Sequence, residues 1–273
     1  IAEADCFPSD LYVLEGVKSL RPDLEILLEG RDGSSIHEML DEQVAAVLIN
    51  HVDYRSGTIR DMENLTRQVQ EFGGLAVWDL SHSAGIFPVQ LNRCRVDFAV
   101  GCTYKYLNGG PGAPAYLYAA SRHHAACNQP LSGWFGHARP FDFERHFDPD
   151  SGIRRFVCGT QPILSLRALQ SGLEIYQDVS LQQVREKSMA LTDLFIKLLK
   201  NECAAWELEI ISPEDASQRG SQVAVSHPQG YAVMQALISR GVIGDFRAPN
   251  LMRFGFAPLF LSYQDIHDTV KQL

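Results

Sequence analysis

Short apolar runs alternate with amphipathic stretches through the first half of the chain. Five of these runs have the length of buried strands, and they cover residues 24–28, 45–50, 75–79, 98–103 and 115–118. Stretches with helical periodicity occur at residues 11–20, 35–40 and 60–72. This alternation is typical of βαβ units, which build a mostly parallel sheet with helices on both faces. The sequence therefore predicts an α/β fold.

The second half of the chain is organised differently. Residues 132–159 mix Gly, Pro, aromatic and charged residues without periodicity, and long ordered loops of this kind usually carry function. Residues 163–200 are strongly helical, with an interruption near Asp178. A smaller α/β unit follows, with expected strands at 207–211 and 222–226 and helices at 231–240 and 263–273. We therefore expect a large domain over residues 1–170 and a small C-terminal domain over residues 171–273.

Composition and charge exclude several classes of protein. The 273 residues are 45% hydrophobic and 21% charged, which is the balance of a globular protein with a sizeable core. The net charge of −9 and the lack of a Lys/Arg run argue against nucleic acid or an anionic membrane as partner. No stretch is long and apolar enough to span a bilayer, and no signal-peptide pattern opens the chain. We expect a cytoplasmic protein.

The six cysteines are scattered through the chain. They form no CxxC pair and have no nearby His at metal-ligand spacing, so we expect no metal site. A chain of this size does not need disulfides for stability, and free thiols, mostly buried, are expected instead.

Two residues that suit covalent cofactor chemistry follow apolar runs. Asp79 closes one predicted strand, and Lys105 stands between Tyr104 and Tyr106 just before a Gly/Asn/Pro-rich turn. Ligands of open α/β sheets bind at the carboxyl ends of the strands. A desolvated lysine can form a Schiff base with an aldehyde, and a carboxylate can keep a pyridine nitrogen protonated. Together they predict a site for pyridoxal phosphate (PLP).

Each of these residues, taken alone, has a simpler interpretation. Asp79 could cap a helix or stabilise a turn, and Lys105 could be an ordinary solvated lysine. The pairing favours the functional interpretation, because a solvated lysine has little need of an apolar strand, two aromatic neighbours and a glycine-rich turn.

The chain resembles a known family at these residues. Asp79-x-x-His82 and, 26 positions after Asp79, Lys105 within Thr-Tyr-Lys-Tyr-Leu-Asn-Gly-Gly-Pro-Gly are similar to the class V group of PLP enzymes with the aspartate aminotransferase fold. Within that group the chain resembles the kynureninase family. Three further segments carry this narrower resemblance: Phe-Pro-Ser-Asp at 7–10, Gly-Trp-Phe-Gly-His at 133–137 and Pro-Asn-Leu-Met-Arg-Phe-Gly at 249–255.

The resemblance implies roles around the cofactor ring. Lys105 would carry PLP as a Schiff base, and Asp79 would pair with the pyridine nitrogen, with His82 beside it. Phe7 would stack on the ring, and Asp10 would tune it from close by. The intervening Pro8 and Ser9 belong to the same cofactor-binding segment.

It also implies roles at the phosphate and at the substrate. Tyr104 and Trp134 would donate hydrogen bonds to the phosphate, and Asn50 and Thr160 fall at further cofactor positions, where some family members have other residues. Arg253 would bind the substrate α-carboxylate in a bidentate pair. In the simpler interpretation, Phe7 and Trp134 are core aromatics, His82 is a buried structural histidine, and Arg253 pairs with Asp245.

The activity implied is hydrolysis of L-kynurenine or 3-hydroxykynurenine to anthranilate, or its hydroxy form, and L-alanine, in tryptophan catabolism and NAD biosynthesis. Tyr104 is a candidate proton donor, and the family is expected to act as a homodimer. The resemblance also implies that a phosphate-binding segment before Phe7 is missing here, so the large PLP-binding domain would be incomplete at its N-terminus. Two alternatives remain: another class V enzyme, such as a cysteine desulfurase or an aminotransferase, and a non-catalytic fragment with the same fold.

Overall fold

A computed structural model describes all residues from 1 to 273. It contains a six-stranded sheet, a four-stranded sheet and the helices that cover them. The strands are β1 (Ala2–Glu3), β2 (Leu28–Glu29), β3 (Ala46–Asn50), β4 (Leu75–Asp79), β5 (Phe98–Gly101), β6 (Tyr116–Ala119), β7 (Glu209–Ile210), β8 (Gln222–Ser226), β9 (Asp245–Arg247) and β10 (Leu251–Gly255). The α-helices are α1 (Pro8–Leu20), α2 (Ile36–Met39), α3 (Met62–Glu71), α4 (Ser121–His124), α5 (Ile163–Glu174), α6 (Leu181–Glu202), α7 (Gly230–Ser239) and α8 (Tyr263–Gln272).

The first sheet has the order β2-β1-β3-β4-β5-β6 and is parallel except for β6, which runs antiparallel to β5. Its central strands are buried, with Ile49 and Trp78 inaccessible to solvent. The Trp78 indole N–H donates to the Thr66 hydroxyl of α3 at 2.9 Å, which satisfies the one polar atom of a buried ring. The predicted α/β fold with a mostly parallel sheet is confirmed.

The second sheet has the order β7-β8-β10-β9, and all of its neighbours are antiparallel. On β10, Met252 and Phe254 point into a core that α6, α7 and α8 cover, whereas Arg253 lies on the other face, as the period of two predicts. Each sheet has a separate apolar core. The domain boundary near residue 170 stays a prediction, because α5, which contains it, buries no residue in either core.

Several predicted elements are wrong in extent. The strand expected at 24–28 is only the two-residue β2, and the strand expected at 207–211 is only β7. Both lie at the edge of a sheet with one partner each, and the partner of β2 is the two-residue β1, which limits the ladder hydrogen bonds that β2 can form. The strand expected to reach residue 103 ends at Gly101, and the short strands β1 and β9 were not predicted.

A loop after β3 fastens the first sheet to the second. The Gly220 N–H donates to the Gly57 carbonyl at 2.7 Å, and the Ile59 N–H donates to the Gln218 carbonyl at 2.9 Å. We call residues 53–59 the clasp loop. No helix of the chain combines the length and the apolar character needed to cross a bilayer.

Candidate active site

Asp79 lies at the carboxyl end of β4. In the sheet register it stands beside Asn50 at the end of β3 and Val100 near the end of β5. Its Oδ1 accepts a hydrogen bond from the Ser81 N–H at 2.6 Å, which stabilises the turn that follows the strand. This bond uses one carboxylate oxygen. Asp79 therefore stabilises a turn, as the simpler interpretation expected. Its second carboxylate oxygen can accept a hydrogen bond from another partner.

A second carboxylate shares this end of the sheet. Asp10 lies in the first turn of α1, and its Oδ2 is buried without a hydrogen-bond partner. Burial and then the nearby charge of Asp79 raise the pKa of Asp10, the charge of Lys105 opposes them, and the resulting pKa is about 6. The same neighbourhood acts on Cys6, whose thiol pKa is raised to about 12 by burial and then by Asp10. Closely spaced carboxylates of this kind favour a cation between them.

The turn after Lys105 explains the glycine-rich sequence that follows it. The Asn108 N–H donates to the Lys105 carbonyl at 3.0 Å, and Asn108 itself has a φ of 60°. Gly110 also requires the left-handed region, with a φ of 74°. At Gly109 a side chain would come within 2.9 Å of the Thr103 carbonyl oxygen. The turn therefore fixes the backbone of Lys105 just beyond β5.

Lys105 itself is half-buried. Its ammonium nitrogen lies 5.3 Å from the centroid of the Tyr104 ring, within the range of a cation–π contact. Tyr104 is 52% exposed, so its hydroxyl is accessible to a ligand. The amine and the phenol predicted to act on the substrate are thus neighbours in space as well as in sequence.

His82 lies near Lys105 and near charged residues of the second sheet. Its pKa is lowered to about 3 by burial, then by the positive charges of Lys105 and Arg253. The ring is therefore neutral at physiological pH. Lys105, which follows β5 of the first sheet, and Arg253, which lies on β10 of the second, both act on this imidazole, so both cations lie near His82.

Arg253 is held by two groups. Its Nε donates to Asp245 Oδ1 at 2.7 Å, and its Nη2 forms a short hydrogen bond to Asp245 Oδ2. Its Nη1 donates to the Tyr54 carbonyl in another short bond. The ion pair with Asp245 that the simpler interpretation expected is therefore formed. Together, the Asp245 ion pair and the Tyr54 hydrogen bond engage three of the five N–H donors of the guanidinium. Two donors remain for an anion.

Phe7 and Asn50 border the same end of the sheet. The Phe7 ring meets Tyr54 edge to face, with centroids 5.4 Å apart. The Asn50 side-chain amide donates to Glu3 Oε2 at 2.7 Å, and Glu3 in turn forms an ion pair with Arg60 at 2.9 Å. Asn50 thus has a structural partner within the chain, and its cofactor role stays a prediction.

Four predicted residues form no side-chain hydrogen bond with this group. The contacts of Trp134 fall within its own loop, where its indole N–H donates to the Pro140 carbonyl at 2.5 Å and its ring packs on Phe141. Thr160 is exposed, and Pro8 and Ser9 are exposed at the start of α1. A phosphate role for Trp134 would require its N–H to exchange the Pro140 bond for a phosphate oxygen. These assignments stay predictions.

Three residues of the site were missed by the sequence reasoning. Glu3 lies in a strand too short to show periodicity, and Tyr54 lies in a polar turn with no motif. His51 is 8% exposed directly after β3, and its Nδ1 lies 2.7 Å from the Ser83 hydroxyl. Its position next to a strand end was the one signal that could have marked it.

His51 leads to a prediction on pH. Burial, followed by the charge of Arg185, lowers its pKa from 6.5 to about 4. Because the unfolded chain binds this proton more tightly, the stability that neutral His51 contributes is complete above pH 6.5 and is lost as the pH falls toward 4. Between pH 7 and pH 5 the loss is about 2 kcal/mol.

Chemical denaturation at several pH values measures this effect. The variant His51→Gln should lose about 2 kcal/mol less than the parent between pH 7 and pH 5. Exposed His37 offers a matched control, and His37→Gln should follow the parent curve. Equal pH slopes for the parent and His51→Gln would show that His51 is not held neutral by the fold.

Comparison with solved structures identifies the fold. An apo cysteine desulfurase from Thermococcus onnurineus NA1 superposes with a TM-score of 0.82 at 18% identity, over 99% of this chain and 70% of that one. The cystine C-S lyase C-DES, in complex with cysteine persulfide, gives 0.84 at 15% identity, over 99% of this chain and 73% of the lyase. A C-DES mutant with glycine covalently linked to its PLP cofactor gives 0.83 at 14% identity, over 99% of this chain and 72% of that one. The chain has the fold of the PLP-dependent transferases.

Sequence comparison gives the family. Residues 184–273 match the kynureninase C-terminal domain. Over its whole length the chain is 47% identical to a kynureninase of Burkholderia mallei strain SAVP1 and 45% identical to one of Pseudomonas fluorescens, and it spans 66% of the length of each. The chain belongs to the kynureninase family, and the resemblance read from its motifs is confirmed.

Proposed function

We propose that this chain carries the catalytic residues of a PLP-dependent kynureninase, which hydrolyses L-kynurenine or 3-hydroxykynurenine to anthranilate, or its hydroxy form, and L-alanine. The observation that carries the proposal is that Lys105 lies near two groups at once: the carboxylates Asp10 and Asp79, and the imidazole of His82, which also lies near Arg253. A carboxylate and an amine of the first sheet are thus near a guanidinium of the second sheet. The identity to kynureninases along the whole chain supports it.

The residues present fit the cofactor. The buried Asp10 Oδ2 has no partner, and Asp79 has an oxygen beyond the one that binds Ser81, so a protonated pyridine nitrogen would complement both. Lys105 supplies the amine for the aldehyde, and Phe7 supplies a ring face. When bound, PLP supplies an electron sink for negative charge at the substrate α-carbon.

Each protein residue of the site has its own role in the proposed reaction. Lys105 Nζ would accept the α-proton of the substrate, and the Tyr104 phenol would return a proton by general acid catalysis. Arg253 would hold the α-carboxylate through its two remaining donors and so fix the orientation of the α-carbon. His82, neutral because of burial, adds no charge between Lys105 and Arg253.

A spectrum and an assay test this proposal. Addition of PLP to the purified protein should produce the visible absorbance of a lysine-bound cofactor, and L-kynurenine should be converted to anthranilate and L-alanine. A protein without that absorbance would be the non-catalytic fragment. A protein that binds PLP and releases sulfur from cysteine, but leaves kynurenine intact, would be a desulfurase.

The desulfurase alternative is not favoured. The solved desulfurases share the fold at 18% identity or less, whereas the curated kynureninases share 45–47% of the residues along the whole chain. Desulfurases use a loop cysteine as sulfur acceptor, and Cys158 is the exposed cysteine here. Kynurenine hydrolysis should be unchanged in Cys158→Ala, because the proposed reaction does not use a thiol.

We also propose that the protein acts as a homodimer. Residues 131–143 expose large apolar side chains, with Phe141 67% and Phe143 76% exposed. Aromatic surface of this extent is typical of a protein–protein interface. Sedimentation should show a dimer, and Phe143→Asp should shift it toward monomer, whereas Tyr263→Asp, at an exposed position of α8, should not. A parent protein that sediments as a monomer would contradict the proposal. A cytoplasmic location stays a prediction from the sequence.

A further inference from the structure

Tyr54 touches two residues proposed to bind different molecules. It lies in the clasp loop and is 7% exposed. One contact of its ring is the Phe7 ring, with centroids 5.4 Å apart, and Phe7 is the residue proposed to stack on the cofactor. Another is the Arg253 guanidinium, whose Cζ lies 5.5 Å from the ring centroid. The ring of Tyr54 therefore supports both the cofactor side and the substrate side of the site.

The backbone of Tyr54 is also held in place, by two hydrogen bonds to its carbonyl. Its carbonyl accepts hydrogen bonds from Arg253 Nη1 and from Gln222 Nε2, the latter at 2.8 Å. Gln222 is 5% exposed and also donates to the Asp53 carbonyl at 3.1 Å. Because Gln222 lies on β8, these bonds hold the clasp loop to the second sheet, where Arg253 also lies.

The contacts of Arg253 determine which of its donors remain available. Asp245 accepts hydrogen bonds from Nε and Nη2 on one side of the guanidinium, and the Tyr54 carbonyl accepts one from Nη1. The N–H groups left over are one on Nη1 and one on Nη2, and a carboxylate can bind both when they face the same side. The direction of this pair depends on the plane of the guanidinium, and Tyr54 and Asp245 together set that plane.

We propose that Tyr54 is a positioning residue, which holds Arg253 in the orientation that binds the substrate α-carboxylate. The inference rests on the proposed function, since it assumes that Arg253 binds that carboxylate. Asp245 alone fixes one edge of the guanidinium and leaves it free to tilt about that edge. The Tyr54 ring and carbonyl remove this freedom, so the two remaining donors are oriented before the substrate arrives.

The test uses the PLP-loaded full chain and the variant Tyr54→Leu. The KM for kynurenine should rise about tenfold, because a tilted guanidinium loses the bidentate geometry, while kcat changes by less than about twofold. Tyr54→Phe keeps the ring and should bring KM back to within about threefold of the parent. Tyr263→Leu, an exposed position on α8, is the control for general effects of losing a tyrosine.

A double variant separates positioning from simple packing. If Tyr54 acts through Arg253, Tyr54→Leu should change KM by less than about twofold when Arg253 is already replaced by lysine. Equal effects in both backgrounds would overturn the inference. Gln222→Met removes a donor to the Tyr54 carbonyl and keeps the ring, so a rise in its KM tests the same idea if Tyr54→Leu does not fold.

The two proposals fail in different ways. A parent protein that shows no PLP absorbance and no turnover rejects the proposed function, and the inference is rejected with it. A parent that turns over kynurenine, together with a Tyr54→Leu variant whose KM stays at the parent value, rejects the inference alone.

Discussion

Replacing Lys105 with alanine should abolish kynurenine turnover and leave the protein folded. The amine is the covalent anchor of the cofactor in the proposed reaction and the group that moves the α-proton, and loss of an essential catalytic group commonly costs a factor of about a hundred or more. The side chain is half-buried beside Tyr104, so its removal leaves little cavity. Thermal unfolding of Lys105→Ala should therefore stay close to that of the parent.

Activity and absorbance measured together decide the role of Lys105. The variant should also lose the visible absorbance of lysine-bound PLP. Lys197→Ala, at an exposed position of α6, is the matched control and should retain both. Residual activity above about one percent of the parent would argue strongly that another residue carries the cofactor.

The second large effect is expected for Arg253→Lys. Lysine keeps the positive charge but cannot form a bidentate pair with a carboxylate. We expect kcat/KM for kynurenine to fall by roughly tenfold to a thousandfold, which corresponds to about 1.5 to 4 kcal/mol, with an unchanged PLP spectrum. Steady-state kinetic assays measure kcat/KM, and an absorbance spectrum of the same preparation measures bound PLP.

The ion pair between Arg253 and Asp245 makes a control necessary. Asp245→Asn weakens the pair but leaves the arginine in place, and it should lower kcat/KM less than Arg253→Lys does. If Arg253→Lys instead loses PLP, or melts at a much lower temperature while the surviving protein keeps normal kinetics, Arg253 is a structural residue. The ion pair would then be its whole function.

The sequence predicted the centre of the fold better than its edges. The predicted ranges of β4 and β8 coincide with the observed strands, since both strands have partners on two sides and a continuous apolar pattern. β2 and β7 have one partner each, and the partner of β2 is the two-residue β1, which limits how far β2 can pair. The apolar pattern of a segment does not show how long its partner strand is.

The candidate site likewise contains residues that could be predicted from the sequence and contacts that could not. Asp79 and Lys105 could be predicted because each follows a strand and stands in a recognisable motif. Of the two groups that hold Arg253, Asp245 was anticipated from the sequence, but the Tyr54 carbonyl was not, because it lies 199 positions earlier in the chain. The pairing of Glu3 with Asn50 spans 47 positions and depends on β1, which is two residues long. Contacts of this kind are set by tertiary packing, which no local periodicity encodes.

The clasp loop has a consequence for the design of chimaeras between this chain and its relatives. A graft that exchanges everything after residue 170 would bring a foreign Gln222 and Arg253 against the native Tyr54. The hydrogen bonds between Gly57 and Gly220 and between Ile59 and Gln218 would then join segments from different parents. The unit that must be transplanted intact is therefore discontinuous: the C-terminal region together with residues 53–59, although more than a hundred residues separate the two in the chain.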